Sequence, residues 1–284
     1  MKVLIFGAKG QLGRELTARF GGFAELLPLD LPGFDITDAA RVDAAVDGFS
    51  PDLIINAAAY TDVERAETER AAAFGVNVAG AFNAAEAARR TGAALVYYST
   101  DFVFDGRAAA PLTEEEPVGP ASPLSVYGFT KWLGEEAARR APRHCILRTA
   151  WLYGPGGNNF VEKILAAART RPELRVVTDE TGCPTHTWDL AEATEALCRA
   201  GAAGTYHVVN SGACTRHEFA LAIVEMAGLE TPVRPCLSSE FPAAAKRPAY
   251  AVLDTAKYAR TAGRGMRGWR GALAHYFERR QEQS

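Results

Sequence analysis

Tyr127 and Lys131 stand four residues apart in the stretch Ser125-Val126-Tyr127-Gly128-Phe129-Thr130-Lys131. On a helix that spacing puts both side chains on one face, about 5–6 Å apart at Cβ. A lone phenol titrates near pH ~10 and exchanges its proton poorly at neutral pH. An ammonium beside it favours the phenolate and lowers that pKa. The pair is therefore a tunable acid or base of the kind that carbonyl reduction needs once hydride has arrived. In a chain with nine tyrosines the spacing alone is weak evidence, and a surface Tyr beside a solvated Lys is the plain alternative. Neighbouring motifs must decide.

Gly7-Ala8-Lys9-Gly10-Gln11-Leu12-Gly13 follows an apolar run, Val3 to Phe6, and opens an amphipathic stretch. Glycines there permit a tight turn and close approach of a pyrophosphate to backbone N–H groups and a positive helix end. The spacing is one residue longer than the usual dinucleotide fingerprint, and a plain strand-to-helix turn would also use glycine. Asp30 ends the second apolar run, where a carboxylate accepts from adenosine ribose hydroxyls; the other reading is a turn before Pro32. A carboxylate there favours NADH, whereas Lys9 and Arg14 are near enough in sequence to meet the extra phosphate of NADPH, so both cofactors stay open. Asn56-Ala57-Ala58-Ala59-Tyr60 closes the third run with small side chains suited to a passing cofactor or to helix–sheet packing. Asn77 is polar within an apolar helical stretch; it holds backbone or a relay water near Lys131, or bonds within the core. Ser99-Thr100-Asp101 ends the fourth run with groups that would face a ligand crevice.

These motifs need a scaffold, and the pattern supplies one. Short apolar runs alternate with helical stretches: Gln11 to about Phe20, Thr37 to about Gly48, a long Ala-rich helix ending near Thr91, and the helix carrying Tyr127. Strands alternating with helices imply a Rossmann-like α/β fold, a doubly wound parallel sheet covered on both faces. Residues 1–150 read as the NAD(P)-binding domain, with the chain returning to it around 182–210. Segments 151–181 and 211–284 read as a smaller mixed α/β substrate lobe over the carboxyl ends of the strands.

Composition excludes several classes. A net charge of −3 gives no reason to expect nucleic acid or anionic membrane as a partner. No apolar run approaches the roughly 20 residues of a membrane span, and the chain opens on a strand without a signal-like segment. The five cysteines form no Cys-x-x-Cys pair, so neither a zinc site nor a disulfide framework is expected. The expectation is a soluble cytoplasmic protein, monomer or homodimer.

The set GAKGQLG, NAAAYTDVERAE, VNVAG, STDFVF and YGFTK, continued by RTAWLYGPGGNNFV, TDETGCPT and RPAYAVLDTAKY, spans nearly the whole chain. It resembles the extended short-chain dehydrogenase/reductases, and within them the dTDP-4-dehydrorhamnose reductase family. That resemblance implies NAD(P)H-dependent reduction of the C4 keto group of dTDP-4-dehydro-6-deoxy-L-mannose to dTDP-L-rhamnose. It implies Tyr127 as proton donor, Lys131 as its activator and ribose ligand, and Thr100 as partner of the sugar carbonyl. Gly7, Gly10, Gln11, Leu12, Asp30, Ala57, Ala58, Ala59 and Tyr60 would line the cofactor path, with Asp35-Ile36 beside the adenine. Phe102, Val103, Trp151, Asn159 and Arg247 would face the dTDP-linked 4-keto-6-deoxysugar, although Trp151 also reads as core and Arg247 as a surface charge. Some relatives are linked to Mg²⁺, a feature implied by resemblance alone, since no carboxylate cluster in this sequence points to a metal site. Tyr250-Ala251 and Glu180-Thr181 depart from the family pattern and bear on which sugar is bound. The alternatives are another nucleotide-diphosphate 4-keto-6-deoxysugar reductase, an epimerase, or a non-catalytic NADP-binding regulatory subunit.

Overall fold

The computed structural model describes residues 1–241 and 243–282. The first half builds β1 (Lys2–Phe6), α1 (Gln11–Gly21), β2 (Glu25–Leu29), α2 (Ala39–Phe49) and β3 (Leu53–Asn56). Two short helices follow, α3 (Val63–Ala66) and α4 (Arg70–Phe74), then a π-helical turn (Gly75–Gly80) and α5 (Ala81–Thr91). β4 (Ala94–Thr100), α6 (Val126–Ala138) and β5 (His144–Thr149) complete it. The second half holds β6 (Leu152–Tyr153), α7 (Phe160–Ala168), β7 (Leu174–Val177), β8 (Thr181–Gly182), β9 (Thr185–His186) and α8 (Thr187–Arg199). It ends with β10 (Gly204–His207), β11 (Cys214–Thr215), α9 (Arg216–Met226), β12 (Val233–Cys236), α10 (Ala256–Ala262) and α11 (Trp269–Glu282).

Six strands form one sheet in the order β10-β5-β4-β3-β1-β2, every pair parallel. The order reverses at β1, which creates a crevice at the carboxyl ends where open α/β sheets bind ligands. Phe6, Leu29, Asn56 and Tyr97 lie in register, so the glycine loop after β1 and the Ser-Thr-Asp end of β4 open on the same edge. β2 carries Pro28, tolerated because this strand is at the sheet edge and owes one side no ladder hydrogen bond. Leu12, Leu16, Phe20, Leu190 and Leu197 cover one face of the sheet; Val42, Val46, Ala84, Ala88 and Ala138 cover the other.

The single Ala-rich helix expected before Thr91 is instead interrupted. Asn77 explains the break: its amide donates to the Tyr60 carbonyl (3.1 Å) and accepts from the Tyr60 N–H (2.9 Å). A π turn at Gly75–Gly80 turns that side chain inward, a common use of such turns near functional sites.

Helix α6 lies unusually close to β4. A Cβ on Gly134 would come within 2.0 Å of the Tyr97 hydroxyl, and one on Gly128 within 2.3 Å of the Phe102 carbonyl. The contact is locked by Glu135, fully buried, whose carboxylate takes two 2.8 Å bonds from Arg148 on β5 and one of 2.6 Å from the Ser99 hydroxyl. Burial alone would raise this carboxyl; Arg148, Ser99 and Arg139 outweigh it and hold it below the usual carboxylate range. Breaking such a pair from one side strands a buried charge, at about 3–5 kcal/mol. Arg148→Ala is therefore expected to lose about 3–5 kcal/mol in urea denaturation; a loss under about 1 kcal/mol would contradict this account.

Candidate active site

Gly7 has φ +77°, and a Cβ there would meet the Ala58 N at 2.5 Å; a Cβ on Gly13 would meet the Gly7 carbonyl at 2.0 Å. The loop thus folds tightly against the end of β3 and the start of α1. Gly10 is the N-cap of α1 and brings no side-chain cap, and the first turn has no acidic residue. Uncapped N–H groups, a positive dipole end and the absence of side chains fit the pyrophosphate of a dinucleotide.

A cleft of about 1110 Å³ runs from this loop across the strand ends to the second half of the chain. Of the residues singled out from the sequence, Gly10, Gln11, Leu12, Ala57, Ala59, Thr100, Phe102, Tyr127, Lys131, Trp151, Asn159 and Arg247 line it. Gly7 and Ala58 stand behind that wall as the tight turn and its backbone contact. Asp30 accepts from the Lys9 N–H and the Leu31 N–H, both at 2.7 Å, so its turn role is filled while lone pairs remain. Lys9 reaches the Leu31 carbonyl beside it, whereas Arg14 lies against Gly156. The two cations therefore point to different ends of the glycine loop.

Asp35, Ile36, Val103, Tyr60 and Asn77 do not line that cleft. Asp35 caps the turn at Thr37 (2.8 and 2.9 Å), and Ile36 is buried against Gly80. Val103 is fully buried with Phe104, Leu112 and Leu253. It packs beneath the cleft rather than along it, because the 3-10 turn Asp101–Val103 sends Phe102 to the cleft and Val103 inward. Tyr60 has its backbone held by Asn77 and its hydroxyl on Glu69. Asn77 also donates to the Thr130 hydroxyl at 3.0 Å, so it ties the wall after β3 to the turn of α6 just before Lys131.

Thr100, Tyr127 and Lys131 come together on one wall. Ser125 caps α6 by accepting from the Gly128 N–H, which starts the helix in time to aim Tyr127 at the cleft. Phe102 meets the Tyr127 ring edge-on, centroids 5.4 Å apart. Burial pushes the Tyr127 phenol up to about 12, offset in part by a hydrogen bond to Thr100. Lys131 is buried with Nζ 4.2 Å from the centre of the Tyr97 ring. Burial pulls its ammonium down to about 7, opposed by Glu135. The lowering of the phenol by Lys131 expected from spacing is thus overridden in the ligand-free protein. Desolvation of both groups is the larger effect, and it leaves Tyr127 protonated.

On the opposite wall Trp151 adopts φ +46°, a strained conformation for a bulky residue. The Arg216 guanidinium lies 3.6 Å from its ring centre and bonds Glu180 through Nε at 3.4 Å. Burial lowers the Arg216 pKa, against Glu180 and Asp101, which raise it. Asn159 caps α7, and its amide is spent on the carbonyls of Gly154 and Gly157 and on Gln11, so it fastens the loop after β6 to the glycine loop. Arg247 pairs with Glu64 at 2.5 Å.

Sequence reading missed Arg216 and the Glu135–Arg148 pair, and it placed Asp101 at the strand end without its burial. Asp101 is buried, accepts from the Thr100 hydroxyl at 2.9 Å, and is raised to about 6 by burial. Arg216 carries no local signal beyond following a capping Thr215; only folding brings it onto Trp151. Glu135, four residues after Lys131, was the visible clue to its pair. Among the described residues no three His, Cys, Asp or Glu side chains gather to hold a metal ion, and no helix is long and apolar enough to cross a membrane.

The chain is 42% identical over 282 residues to the spore coat polysaccharide biosynthesis protein SpsK of Bacillus subtilis, the match covering 98% of each chain. It is similar to the crystal structure of a dTDP-4-dehydrorhamnose reductase of Clostridium acetobutylicum, with TM-score 0.94 and 39% identity over 99% of this chain and 100% of that one. A dTDP-4-dehydrorhamnose reductase of Bacillus anthracis in complex with NADP gives TM-score 0.93 and 37% identity, covering 98% and 99%. The sequence model of the RmlD substrate binding domain matches residues 1–282. With the sequence match and the fold agreeing over nearly its whole length, this chain belongs to the RmlD substrate binding domain family.

Proposed function

We propose that this chain reduces the C4 keto group of dTDP-4-dehydro-6-deoxy-L-mannose to dTDP-L-rhamnose, using NADPH or NADH. The observation that carries the reading is the meeting of Thr100, Tyr127 and Lys131 in one cleft with an uncapped glycine-loop helix end. The relatives named as dTDP-4-dehydrorhamnose reductases support the substrate, and the NADP complex of the Bacillus anthracis protein supports the cofactor class. Asp30 retains lone pairs for ribose hydroxyls and Lys9 supplies a cation beside it, so this end of the cleft suits either cofactor.

Bound NAD(P)H supplies the hydride. Tyr127, protonated because burial holds its pKa near about 12, gives its proton to the sugar oxygen as negative charge grows there. Thr100, whose hydroxyl donates to Asp101 at 2.9 Å, would turn that donor to the sugar oxygen and orient it beside the phenol. Lys131 supplies positive charge next to it, in a dry site where that charge acts strongly. Phe102 and Trp151 would shape the sugar pocket, and Arg216 and Arg247 bring positive charge toward a diphosphate. Residues 1–150 with the return near 182–210 serve the cofactor; 151–181 and 211–284 serve the nucleotide-sugar.

Tyr127→Phe is expected to lower kcat by about 10²- to 10⁴-fold while cofactor affinity stays unchanged in a fluorescence titration; a fully active variant would sink the assignment. Lys131 is charged below about 7 in the ligand-free protein and loses its proton as pH rises through that value. kcat/KM reports the free enzyme, so it should decline on the alkaline side of about pH 7, and a profile flat to about pH 9 would refute the role of Lys131. A reductase consumes one reduced nicotinamide per sugar. Interconversion of 4-epimers with no net loss of nicotinamide absorbance would overturn the reading in favour of an epimerase.

A further inference from the structure

Glu64 lies on α3, a helix of four residues between β3 and the π turn. Its Oε1 accepts from Arg247 at 2.5 Å, and its Oε2 accepts from the N–H groups of Ala244 (2.8 Å) and Ala245 (3.3 Å). All three donors belong to one stretch, 243–249, that forms a wall of the cleft through Ala243, Ala245, Lys246, Arg247 and Ala249. Before it, Ser238 is pinned to Asp179 by its N–H and hydroxyl. After it, Thr181 donates to the Ala249 carbonyl, and Gly106, at φ +71°, lets Pro248 approach where a Cβ would lie 2.5 Å from its Cα. Among the described residues, the side-chain hydrogen bonds that tie 243–247 to the sheet-bearing half of the chain all end on Glu64.

We propose that Glu64 is a positioning residue that latches the 243–249 strap as a removable outer wall over the bound nucleotide-sugar. The inference rests on the reading of the cleft as a nucleotide-sugar site. Both partners of the ion pair are partly exposed, at 41% for Glu64 and 31% for Arg247, and half-solvated pairs of this kind are weak enough to open and reform. The backbone bonds to the carboxylate add direction, so the strap returns to one place. A diphosphate arriving at Arg247 competes with Glu64 for the guanidinium but leaves the two N–H contacts intact. The strap can therefore shift its charge to the ligand and stay seated. Glu67, one turn further on, holds the start of α6 by accepting from the Val126 N–H at 2.8 Å. The strap and the reactive helix are thus held by different carboxylates, and losing Glu64 leaves Tyr127 in place.

Trypsin and steady-state kinetics on the full chain test this with Glu64→Gln and Glu64→Asp. Cleavage at the Lys246–Arg247 bond of the ligand-free protein should quicken roughly tenfold in Glu64→Gln, and KM for the dTDP-linked keto sugar should rise roughly tenfold. kcat and the NADPH dissociation constant should hold, and Glu64→Asp should restore part of both effects. Cleavage at the wild-type rate, or a fall in kcat with KM unmoved, overturns the latch. Proteolysis needs no turnover, so a wild-type chain inactive on the sugar would sink the reaction and still leave the latch measured.

Discussion

Glu135 and Arg148 meet in the dry space between α6 and the sheet, and their ion pair sets where the reactive helix can lie. Two charges removed from water repay their desolvation only when geometry is good and remaining hydrogen-bonding positions are filled. Here Arg148 grips both carboxylate oxygens and Ser99 adds a third bond from the end of β4; Arg148 Nη1 has no hydrogen-bond partner among the described residues, and the guanidinium lies over the Phe104 ring. The pair therefore joins helix, strand end and neighbouring strand at one point. Gly134 and Gly128 supply the room for this approach, since side chains there would strike Tyr97 and Phe102.

That close approach has an electrostatic consequence. Lys131 is carried into the same dry space and rests on the Tyr97 ring, while Tyr127 is shielded by Phe102. Both groups shift against their charged forms, the phenol up and the ammonium down. Tyr127 is left as a proton donor in waiting, and Glu135 is the nearest influence keeping Lys131 charged. Thr100 links this pair to Asp101 through its hydroxyl, so the end of β4 contributes both orientation and a buried carboxyl.

The cleft is completed by contacts that cross the chain. Gln11 and Asn159 join the glycine loop to the loop after β6, and Asn77 joins the wall after β3 to α6. Several polar residues singled out in the sequence also make such joints: Asn159 as a helix cap, Asp35 as a turn cap, Asn77 as a backbone clamp. These bonds hold the loops that border the cleft at short range within the protein.

From the sequence alone came the parallel α/β scaffold, the glycine loop, the Tyr127–Lys131 face and the strand-end hydroxyls. All of these are local: a period of two or 3.6 residues, a turn that needs glycine, a spacing of four on a helix. Tertiary structure decided what depends on distance across the chain. It turned Val103 and Ile36 into core, broke the Ala-rich helix to aim Asn77, and brought Arg216 onto Trp151 and Arg148 onto Glu135. It also reversed the expected balance at Tyr127. Spacing reveals that an ammonium is near a phenol, but only burial fixes the dielectric in which they interact, and burial is a property of the packed fold.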